Sequence, residues 1–324
     1  MEAMRAQILT LQTELQQLRK RADTPCTAHG KAPHGVRTAQ AALECWTSGG
    51  KWKRMSGKWR WMPHEACMPR LANFEVSARR PSSCPLAGKR VLFLGDSLSG
   101  HMYAMLSHLF SSFHPSTMEL PCDSRPDLVP RQAGCHAINV SCPGKAVTMI
   151  AYVRTDHLSF ARTERYWSSW EKNVLEHPIN DAIALMKPTD IVLNRGAHFA
   201  PDDAYMQGWK TALSYISHAS PQARVMIRNT PSGHPHCEKS KRPLLEPPAY
   251  PDELPHHWGD FVRQNDLLKD LAVREGLLNL DVATPTRLRP DMHSSATDCL
   301  HYNLQAEGNA VETWVRLFLG AHQL

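Results

Sequence analysis

The segment GDSLSGHMY at 95–103 places Ser97 directly after the apolar run 90–94. If that run is a strand, Ser97 lies on the turn into a helix over 98–110, whose first amide groups would face its hydroxyl. A nucleophile is expected at such a position, and Gly95 would permit the tight turn. The segment differs from the GxSxG nucleophile elbow, because position 99 is serine. The alternative interpretation is a serine or aspartate that caps an ordinary helix.

A serine hydroxyl needs a base, and the base needs a carboxylate to orient it. The segment DCLH at 298–301 supplies both, because Asp298 and His301 lie three residues apart and one turn of chain can hold them within reach. Asp298 would bind one ring nitrogen of His301 and leave the other for Ser97. A chance DxxH is not rare among 18 histidines, but its place after the last predicted strand favours a functional interpretation.

A third segment, NRGAHF at 194–199, follows another predicted strand. An acyl-transfer site needs hydrogen-bond donors directed at the oxyanion of the tetrahedral intermediate. Asn194 could offer its side-chain amide and Gly196 an unobstructed backbone amide. The alternative is a turn in which Asn and Gly supply positive φ.

Alternating apolar and amphipathic stretches after residue 85 predict an α/β fold that positions these three segments. Near-continuous apolar strands separated by helices indicate a parallel sheet covered on both faces, a three-layer α/β/α arrangement. About five strands suit a flavodoxin-like order, with the active crevice at their carboxyl ends. The proline-rich stretch 231–257 would be a long loop on that face. The predicted strands are 90–94, 147–153, 190–194, 224–229 and 277–282, and the predicted helices are 98–110, 163–187, 202–218, 258–275 and 304–319.

The residues before this domain divide into three parts. Residues 1–22 carry apolar side chains at alternating spacings of three and four, which predicts a short coiled-coil or stem helix; it could fray alone or serve as an oligomerisation handle. Residues 23–44 are predicted to be a linker, and residues 45–84 a small basic lobe rich in Trp and Cys. Its aromatic and cationic side chains could stack on sugars or bases, or the lobe could simply pack on the catalytic domain, 85–324.

Charge and cysteine content restrict the partners and the compartment. The net charge of +6 arises entirely from residues 1–84, which carry +8, while residues 85–324 carry −2. This favours an anionic partner for the front of the chain and argues against a nucleic-acid channel through the core. Nine cysteines without a CxxC spacing suit disulfides in an oxidising compartment, although free thiols in the cytosol are the alternative. The single glycosylation sequon is at Asn139.

Targeting and metal signals are weak. No apolar run approaches the ~18 residues that span a bilayer, and the first residues lack the apolar region of a signal peptide. Membrane attachment would therefore need a segment upstream of this sequence. His234, His236 and Cys237, with His256–His257 nearby, lack a familiar zinc-ligand spacing. We therefore expect no metal.

Four segments in order resemble the SGNH/GDSL esterase superfamily, and more narrowly its PC-esterase branch, which includes the plant trichome birefringence-like polysaccharide O-acetyltransferases. The resemblance covers about residues 45–319. Two departures mark a divergent member: Gly100–His101 stand where plant members usually carry Arg-Asn, and DCLHYN replaces DCSHWC, which removes one family disulfide. The segments are KWRWMPHEACMPR at 58–70, CPLAGKRVLFLGDSLS at 84–99, IVLNRGAHF at 191–199 and TDCLHY at 297–302.

The resemblance implies a Ser-His-Asp triad with Ser97 as nucleophile, His301 as base and Asp298 as its orienting carboxylate. It also implies an oxyanion hole of the Ser97 amide and Asn194, to which Gly100 and Gly196 could contribute. Residues expected to contact substrate are Asp96, His198, Trp59, Trp61, Arg60 and His234.

The activity that this resemblance implies is acetyl transfer to a carbohydrate through an acetyl-serine intermediate. No cofactor would be bound, and acetyl-CoA or another activated acetyl group would be the co-substrate. The acceptor could be an anionic polysaccharide, and the compartment the Golgi lumen or the cell exterior. Two alternatives remain: a carbohydrate acetylesterase with the same triad, and a non-catalytic glycan-binding protein.

Two disulfides are also expected. Cys299 lies between the two triad residues on a loop that needs an anchor, and the nearest plausible partner is Cys237 on the proline-rich loop. A second bond, between Cys45 and Cys67, would close the basic lobe. A buried free thiol is the alternative for Cys299.

Overall fold

The computed structural model describes residues 34–71, 84–118, 120, 134–160, 163–165, 174–231, 233–250, 254–306 and 308–323. The predicted helix over 1–22 and residues 23–33 of the predicted linker lie outside this part. The α-helices are α1 (His34–Thr47), α2 (Ser97–Leu109), α3 (Ile179–Met186), α4 (Asp202–Ala219), α5 (Trp258–Glu275), α6 (Ala283–Thr286) and α7 (Ala310–Ala321). Short 3-10 helices span Glu65–Leu71, Ser111–Phe113, Cys237–Lys239, Pro255–His257 and Pro290–Met292.

A seven-stranded sheet forms the centre of the fold, in the order β11-β10-β9-β3-β6-β5-β4. Its five parallel strands are the five predicted from the sequence, and in chain order they follow the 2-1-3-4-5 arrangement of flavodoxin-like sheets. The expected number of about five strands was too low, because β5 and β4 extend the sheet in antiparallel pairing. The strands are β1 (Lys51–Met55), β2 (Lys58–Met62), β3 (Arg90–Gly95), β4 (Ser116–Met118), β5 (Cys135–Val140), β6 (Thr148–Arg154), β7 (Thr163–Arg165), β8 (Val174–Glu176), β9 (Asp190–Leu193), β10 (Arg224–Arg228) and β11 (Leu278–Leu280).

Helices cover both faces of this sheet, which gives the expected α/β/α layers. One apolar cluster joins α1, α2 and α7 to one face through side chains such as Phe93 and Trp314. A second cluster joins α3, α4 and α5 to the other face through Leu94 and Trp209. Because β3 is buried on both faces, it reads as a continuous apolar run in the sequence.

The predicted linker over 23–44 is wrong in its second half, because α1 occupies His34–Thr47. Ala39, Ala42, Leu43 and Trp46 recur at helical spacing and are buried against the core. The Gln40 side chain accepts a hydrogen bond from the Asn279 amide at 2.8 Å. The helix therefore covers the outer edge of β11, which would otherwise present unpaired backbone groups.

The basic lobe packs on the catalytic domain through its tryptophans. The β1–β2 hairpin buries Trp52 and Trp61, and their ring centroids are 5.8 Å apart. The Trp52 indole N–H donates to Pro285 O at 2.8 Å, and the Arg289 guanidinium lies 4.2 Å from the Trp52 ring centroid. The expected Cys45–Cys67 disulfide is confirmed. A third disulfide, Cys84–Cys142, holds the chain at its entry into the domain.

Two other element predictions need correction. Of the predicted helix over 163–187, the described residues form two short strands, Thr163–Arg165 and Val174–Glu176, and a helix from Ile179 to Met186. Pro178 stands at its N-cap, where a residue without an amide hydrogen is tolerated. The last helix begins at Ala310 instead of residue 304, because the Asn309 side chain caps it by accepting from the Glu312 amide at 2.8 Å. Within the described residues, no helix combines the length and apolarity needed to cross a membrane.

Candidate active site

Ser97 is the first residue of α2 and lies where β3 ends. Gly95 has φ +156°, and a Cβ there would meet the Asn194 carbonyl oxygen at 2.7 Å and the Ser99 hydroxyl at 2.6 Å. The Asp96 carboxylate then caps α2 by accepting from the Leu98 amide at 3.0 Å. The glycine and the cap together turn the chain sharply, so that Ser97 stands at the carboxyl edge of the sheet, at the switch point between β3 and β9.

Ser97, His301 and Asp298 form a continuous hydrogen-bonded chain. The Ser97 hydroxyl lies 2.7 Å from His301 Nε2, and His301 Nδ1 lies 2.9 Å from one Asp298 carboxylate oxygen and 3.1 Å from the other. Since an ionised carboxylate only accepts, Nδ1–H donates to Asp298 and the Nε2 lone pair faces the serine hydroxyl. This arrangement can remove the serine proton and stabilise the resulting imidazolium.

Asp298 is held in its ionised form. Its carboxylate also accepts from the backbone amides of His301 at 3.0 Å and Leu300 at 3.3 Å. Burial alone would raise the pKa of this carboxyl, but the hydrogen bonds and charge of His301 outweigh it and hold the pKa well below its usual range. The carboxylate can therefore orient His301 across the whole working range of pH.

The loop that carries His301 is anchored on the proline-rich loop. The expected Cys237–Cys299 disulfide is confirmed, with the two Cα atoms 5.6 Å apart. Next to it, the His234 amide donates to Cys299 O at 2.9 Å. Both contacts hold Cys299, and so fix the backbone between Asp298 and His301.

We expect loss of this disulfide to lower activity more than stability. The bond closes a loop with a sequence separation of 62, for which the chain-entropy relation gives about 4 kcal/mol less any strain. Its larger effect is on the position of His301, since a triad works only near its productive geometry. The double variant Cys237→Ser/Cys299→Ser should lose at least about tenfold in kcat under conditions where circular dichroism still reports a folded chain.

The Cys45→Ser/Cys67→Ser variant is the matched control, because it removes a disulfide that joins α1 to the basic lobe, neither of which carries a triad residue. It should lose stability with little change in kcat. Equal kcat for the two double variants would contradict the anchoring role.

His234 is not available to substrate, contrary to expectation. Its side chain is buried and its Nδ1 lies 2.7 Å from Nε2 of His293. His293 in turn places Nδ1 3.0 Å from the His301 carbonyl oxygen, to which it donates. The two rings therefore support the backbone of the base, and burial lowers the pKa of His234 to about 4.

Asp96, expected to contact substrate, is instead fully buried beneath Ser97. It accepts from the Ala197 amide at 3.2 Å and lies 3.4 Å from a guanidinium nitrogen of Arg228. Arg228 is also fully buried and donates to the Ser99 hydroxyl at 3.1 Å. Burial lowers the pKa of Arg228 and the Asp96 charge opposes that shift. This pair connects the ends of β3, β9 and β10. Sequence reasoning missed Arg228, which ends a strand whose three central residues are apolar.

Two of the four groups expected in an oxyanion hole are bound elsewhere. The side-chain amide of Asn194 is buried and donates both hydrogens inward, to Arg228 O at 3.1 Å and to the Thr230 hydroxyl at 2.9 Å. The Gly100 amide donates to Asp96 O at 3.4 Å within the first turn of α2. Neither group is available to an oxyanion. The amides of Ser97 and Gly196 make no hydrogen bond within the described part of the chain, so these two candidates remain.

His101 lies next to His301, a contact that the sequence motifs did not predict. It lies one helical turn after Ser97, and its ring centroid is 5.2 Å from that of His301. Burial, followed by the nearby His301 ring, lowers the pKa of His101 to about 3. The ring is therefore neutral at neutral pH and packs beside His301 without adding a second positive charge.

Buried histidines predict acid sensitivity of the fold. Burial lowers the pKa of His101 and of His322, which packs on Phe318 with its ring nitrogen 3.7 Å from Asp190. In the unfolded chain histidines have pKa values of ~6.5, so they bind protons below that pH. In the folded chain the two buried histidines stay unprotonated at the same pH. The unfolding free energy should therefore fall as pH falls below about 6.5, by on the order of 1 kcal/mol per histidine per pH unit.

Urea denaturation at a series of pH values measures this slope. His322→Phe keeps a ring in the site and should reduce the slope by about one proton. His218→Gln, which removes an exposed histidine of α4, should leave it unchanged. The same slope in His322→Phe and in the unsubstituted chain would contradict the assignment.

His198 belongs to a polar cluster at the end of β6. Arg154, which pairs with Gly95 in the sheet, binds both oxygens of Asp156 at 2.9 and 3.0 Å. His198 Nε2 lies 3.4 Å from Asp156 and 3.4 Å from Arg154. Burial lowers the pKa of His198. The ring is thus held by this ion pair beside β3, and contact with substrate stays a prediction.

The lobe residues that were expected to contact substrate differ in their exposure. Trp61 is buried and its indole N–H donates to Trp46 O at 2.9 Å, so it cannot stack on a sugar. Trp59 and Arg60 remain partly exposed, but the cavity that they line includes no triad residue. Asn139 is half-buried in β5 opposite Ser116, and its glycosylation stays a prediction.

Metal ligation has little support in the described residues. The one group of potential ligands there with suitable geometry is Cys237, Glu238 and Cys299, whose cysteines are joined in the disulfide. His236 is exposed and His234 is bound to His293. These histidines therefore do not converge on one ligand sphere with the cysteines.

Comparisons with known proteins add no assignment: no model of a protein family matches the chain, and a search of curated proteins finds no match.

Proposed function

We propose that this chain is a serine acyltransferase that moves acetyl groups onto carbohydrate hydroxyls. The observation that carries the proposal is the chain from the Ser97 hydroxyl to His301, at 2.7 Å, and from His301 to Asp298, at 2.9 Å. It lies at the carboxyl edge of a doubly wound sheet, where such folds bind their ligands. The strand order and the GDSL segment together support an SGNH-type fold.

The first half-reaction transfers the acetyl group to the enzyme. Ser97 Oγ attacks the carbonyl carbon of the acetyl donor while His301 Nε2 takes the hydroxyl proton. The amides of Ser97 and Gly196 stabilise the oxyanion. Collapse of the tetrahedral species breaks the bond to the leaving group, which receives the proton from His301. Acetyl-Ser97 remains.

The second half-reaction releases the acetyl group to the acceptor. His301 takes the proton of a sugar hydroxyl, whose oxygen attacks the carbonyl carbon of acetyl-Ser97. Collapse forms the sugar ester, and Ser97 recovers its proton from His301. No further cofactor is needed for this sequence, since an activated acetyl donor such as acetyl-CoA supplies the ester carbonyl.

Acetylester hydrolysis is the second candidate, and the exposure of the triad favours it. The side chains of His301 and Asp298 are 26% and 35% exposed, so water can reach an acetyl-Ser97 as well as a sugar can. A non-catalytic glycan-binding function is disfavoured, because it does not need three side chains in this geometry.

The disulfides of the chain indicate an oxidising compartment. We further propose the secretory pathway, with the Golgi lumen as the site where a polysaccharide acceptor would be met. Association through residues 1–22 remains a prediction.

The test is product analysis with an isotopically labelled acetyl donor and a panel of neutral and acidic oligosaccharides. Transfer predicts labelled acetyl esters on one class of oligosaccharide, in excess over free labelled acetate. Free acetate alone, together with release of acetyl groups from acetylated oligosaccharides, would assign the esterase. Neither product would overturn both enzymatic proposals.

A further inference from the structure

His234, which is buried, and His293, which is half-buried, form a row with two main-chain carbonyl groups beside the triad. His234 Nε2 lies 3.0 Å from the carbonyl oxygen of Arg287, and His234 Nδ1 lies 2.7 Å from His293 Nε2. At the other end of the row, His293 Nδ1 lies 3.0 Å from the carbonyl oxygen of His301, the proposed base. We call His234 and His293 the histidine pair.

The three contacts of this row need three protons. A carbonyl oxygen only accepts, so each end of the row needs an N–H group, and the contact between the rings needs one more. Two neutral imidazoles carry only two such protons, so with His293 Nδ1–H bound to the His301 oxygen, one proton is left for two contacts. In the remaining contact two acceptor atoms face each other, which costs free energy. The row is therefore complementary to a pair that carries a third proton.

A fourth proton does not fit in the row. With three protons, one N–H group already occupies the contact between the rings. A second N–H group would face the first across 2.7 Å, and two positively charged rings would be in contact. The geometry therefore sets the capacity of the histidine pair at one added proton, whereas two independent histidines would take up two.

The groups around the histidine pair set the pH of this uptake. Burial lowers the pKa of both rings, so the uptake falls below the ordinary histidine pKa of ~6.5. The hydrogen bonds to the Arg287 and His301 carbonyls oppose this shift, as do the charges of Asp291 and Asp298. A positive charge on His301 would lower the pKa of His293 further.

Two tyrosines also pack against the pair, but they do not supply the missing proton. The ring centroid of Tyr250 lies 6.4 Å from that of His234, and the ring centroid of Tyr302 lies 4.6 Å from that of His293. Burial raises the pKa of both phenols, so they stay neutral, and their hydroxyls form no hydrogen bond within the described residues. The guanidinium of Arg287 lies 3.5 Å from Thr284 Oγ1, and that of Arg289 is bound to Asp291.

Both rings are connected to the loop that carries His301. The His301 carbonyl accepts from His293 and also from the Ser294 amide, at 2.9 Å, and the His234 amide donates to Cys299 O at 2.9 Å. Repulsion within the neutral row is therefore transmitted to the backbone of the base, and the third proton removes it.

We propose that the histidine pair takes up one solvent proton as a unit, and that this proton fixes the position of His301. The uptake changes the charge of the pair from zero to +1 and completes the row from Arg287 to His301. His293 is a positioning residue, because it acts on the carbonyl group of the base and not on substrate. The effect on the reaction rests on the proposed function, whereas the proton uptake does not.

An NMR titration of the full chain with isotope-labelled histidines tests the uptake directly. The chemical shifts of the ring nitrogens report which of them carry a proton. We expect the four nitrogens of the histidine pair to gain one proton in total, along one common curve with a midpoint below ~6.5. His218, exposed on α4, is the internal reference and should gain its own proton independently of the pair. Uptake of two protons, two separate curves, or no uptake while the chain stays folded would overturn the proposal.

Hydrogen exchange of the Ser294 amide tests the coupling to the His301 carbonyl without turnover. His234→Gln removes one titrating ring but keeps an amide that can donate to Arg287 O. His236→Gln is the matched control, since His236 is exposed on the same loop. In the unsubstituted chain and in His236→Gln, protection of the amide, corrected for the intrinsic exchange rate, should rise at least about threefold as the pair takes up its proton. In His234→Gln it should stay constant, and an equal rise in all three chains would contradict the coupling.

Hydrolysis of a small acetyl ester by the same two variants connects the proton to the reaction. The ratio of kcat in His236→Gln to kcat in His234→Gln cancels the ionisation of His301, which both chains share. This ratio should rise at least about threefold as the pH falls through the midpoint found by NMR, because the protonated pair holds the base closer to its productive geometry. A constant ratio would overturn the action of the proton on the base. Absence of hydrolysis in every chain would contradict the proposed function and leave the NMR and exchange results standing.

Discussion

Replacing Ser97 with alanine should lower kcat for acetyl transfer or ester hydrolysis by at least about 10³-fold. The substitution removes only a hydroxyl, and with it the atom that would carry the acetyl group. The fold should remain, because the Ser97 hydroxyl is bound to His301 and supports no element of the core. Steady-state kinetics with a chromogenic acetyl ester measures the loss.

His301→Ala should cost about as much, because members of a triad act as a unit. The double variant Ser97→Ala/His301→Ala should then be no slower than either single variant. Ser107→Ala is the matched control, since Ser107 lies on the same helix and its hydroxyl donates to Tyr103 O at 2.9 Å, within the helix. Near-normal turnover by Ser97→Ala would contradict the covalent mechanism.

The largest effect on stability should come from the buried pair beneath the site. Arg228→Met would leave the Asp96 carboxyl without its guanidinium partner in a fully buried position. Breaking a buried pair on one side typically costs about 3–5 kcal/mol. Urea unfolding should show this loss, and the active-site turn should become less ordered with it, because Asp96 caps α2.

Removing both charges together should be milder. In Arg228→Met/Asp96→Asn the asparagine oxygen can still accept from the Leu98 amide, and no unpaired charge is buried. Arg263→Met is the control, since it removes an exposed arginine that pairs with Asp202 and Asp260, for which about 0–1 kcal/mol is expected. If Arg228→Met were no more destabilising than Arg263→Met, the buried pair would not have the role described.

The parallel strands were predictable because each is buried on both faces and therefore reads as an apolar run. The antiparallel strands β5 and β4 were not, since His136 and Asn139 interrupt the apolar residues of β5 and β4 has only three residues. Helix α1 was missed for another reason: Gly35 and the prolines before it suggested a linker. Its apolar spacing, from Ala39 to Trp46, was the signal that could have revealed it.

Ser97 was predictable because it follows β3 almost directly, and a strand end fixes both position and exposure. Asp298 and His301 were predictable from their residue types and their spacing of three, although they lie on a loop well after β11. Residue type alone did not give side-chain direction. Asn194 and His234 have suitable chemistry but point inward, to Thr230 and to His293. Arg228 and His101 approach the site from a strand and a helix turn, and their contacts depend on tertiary packing.

The most direct test of the account is the search for acetyl-Ser97 itself. The chain is mixed with a labelled acetyl donor in the absence of sugar, quenched with acid at early times and digested, and the acetylated residue is identified by mass spectrometry. The account predicts label on the peptide that contains Ser97, formed as fast as donor is consumed and lost when acceptor is added. Donor consumption with label on another residue, or on none, would contradict it.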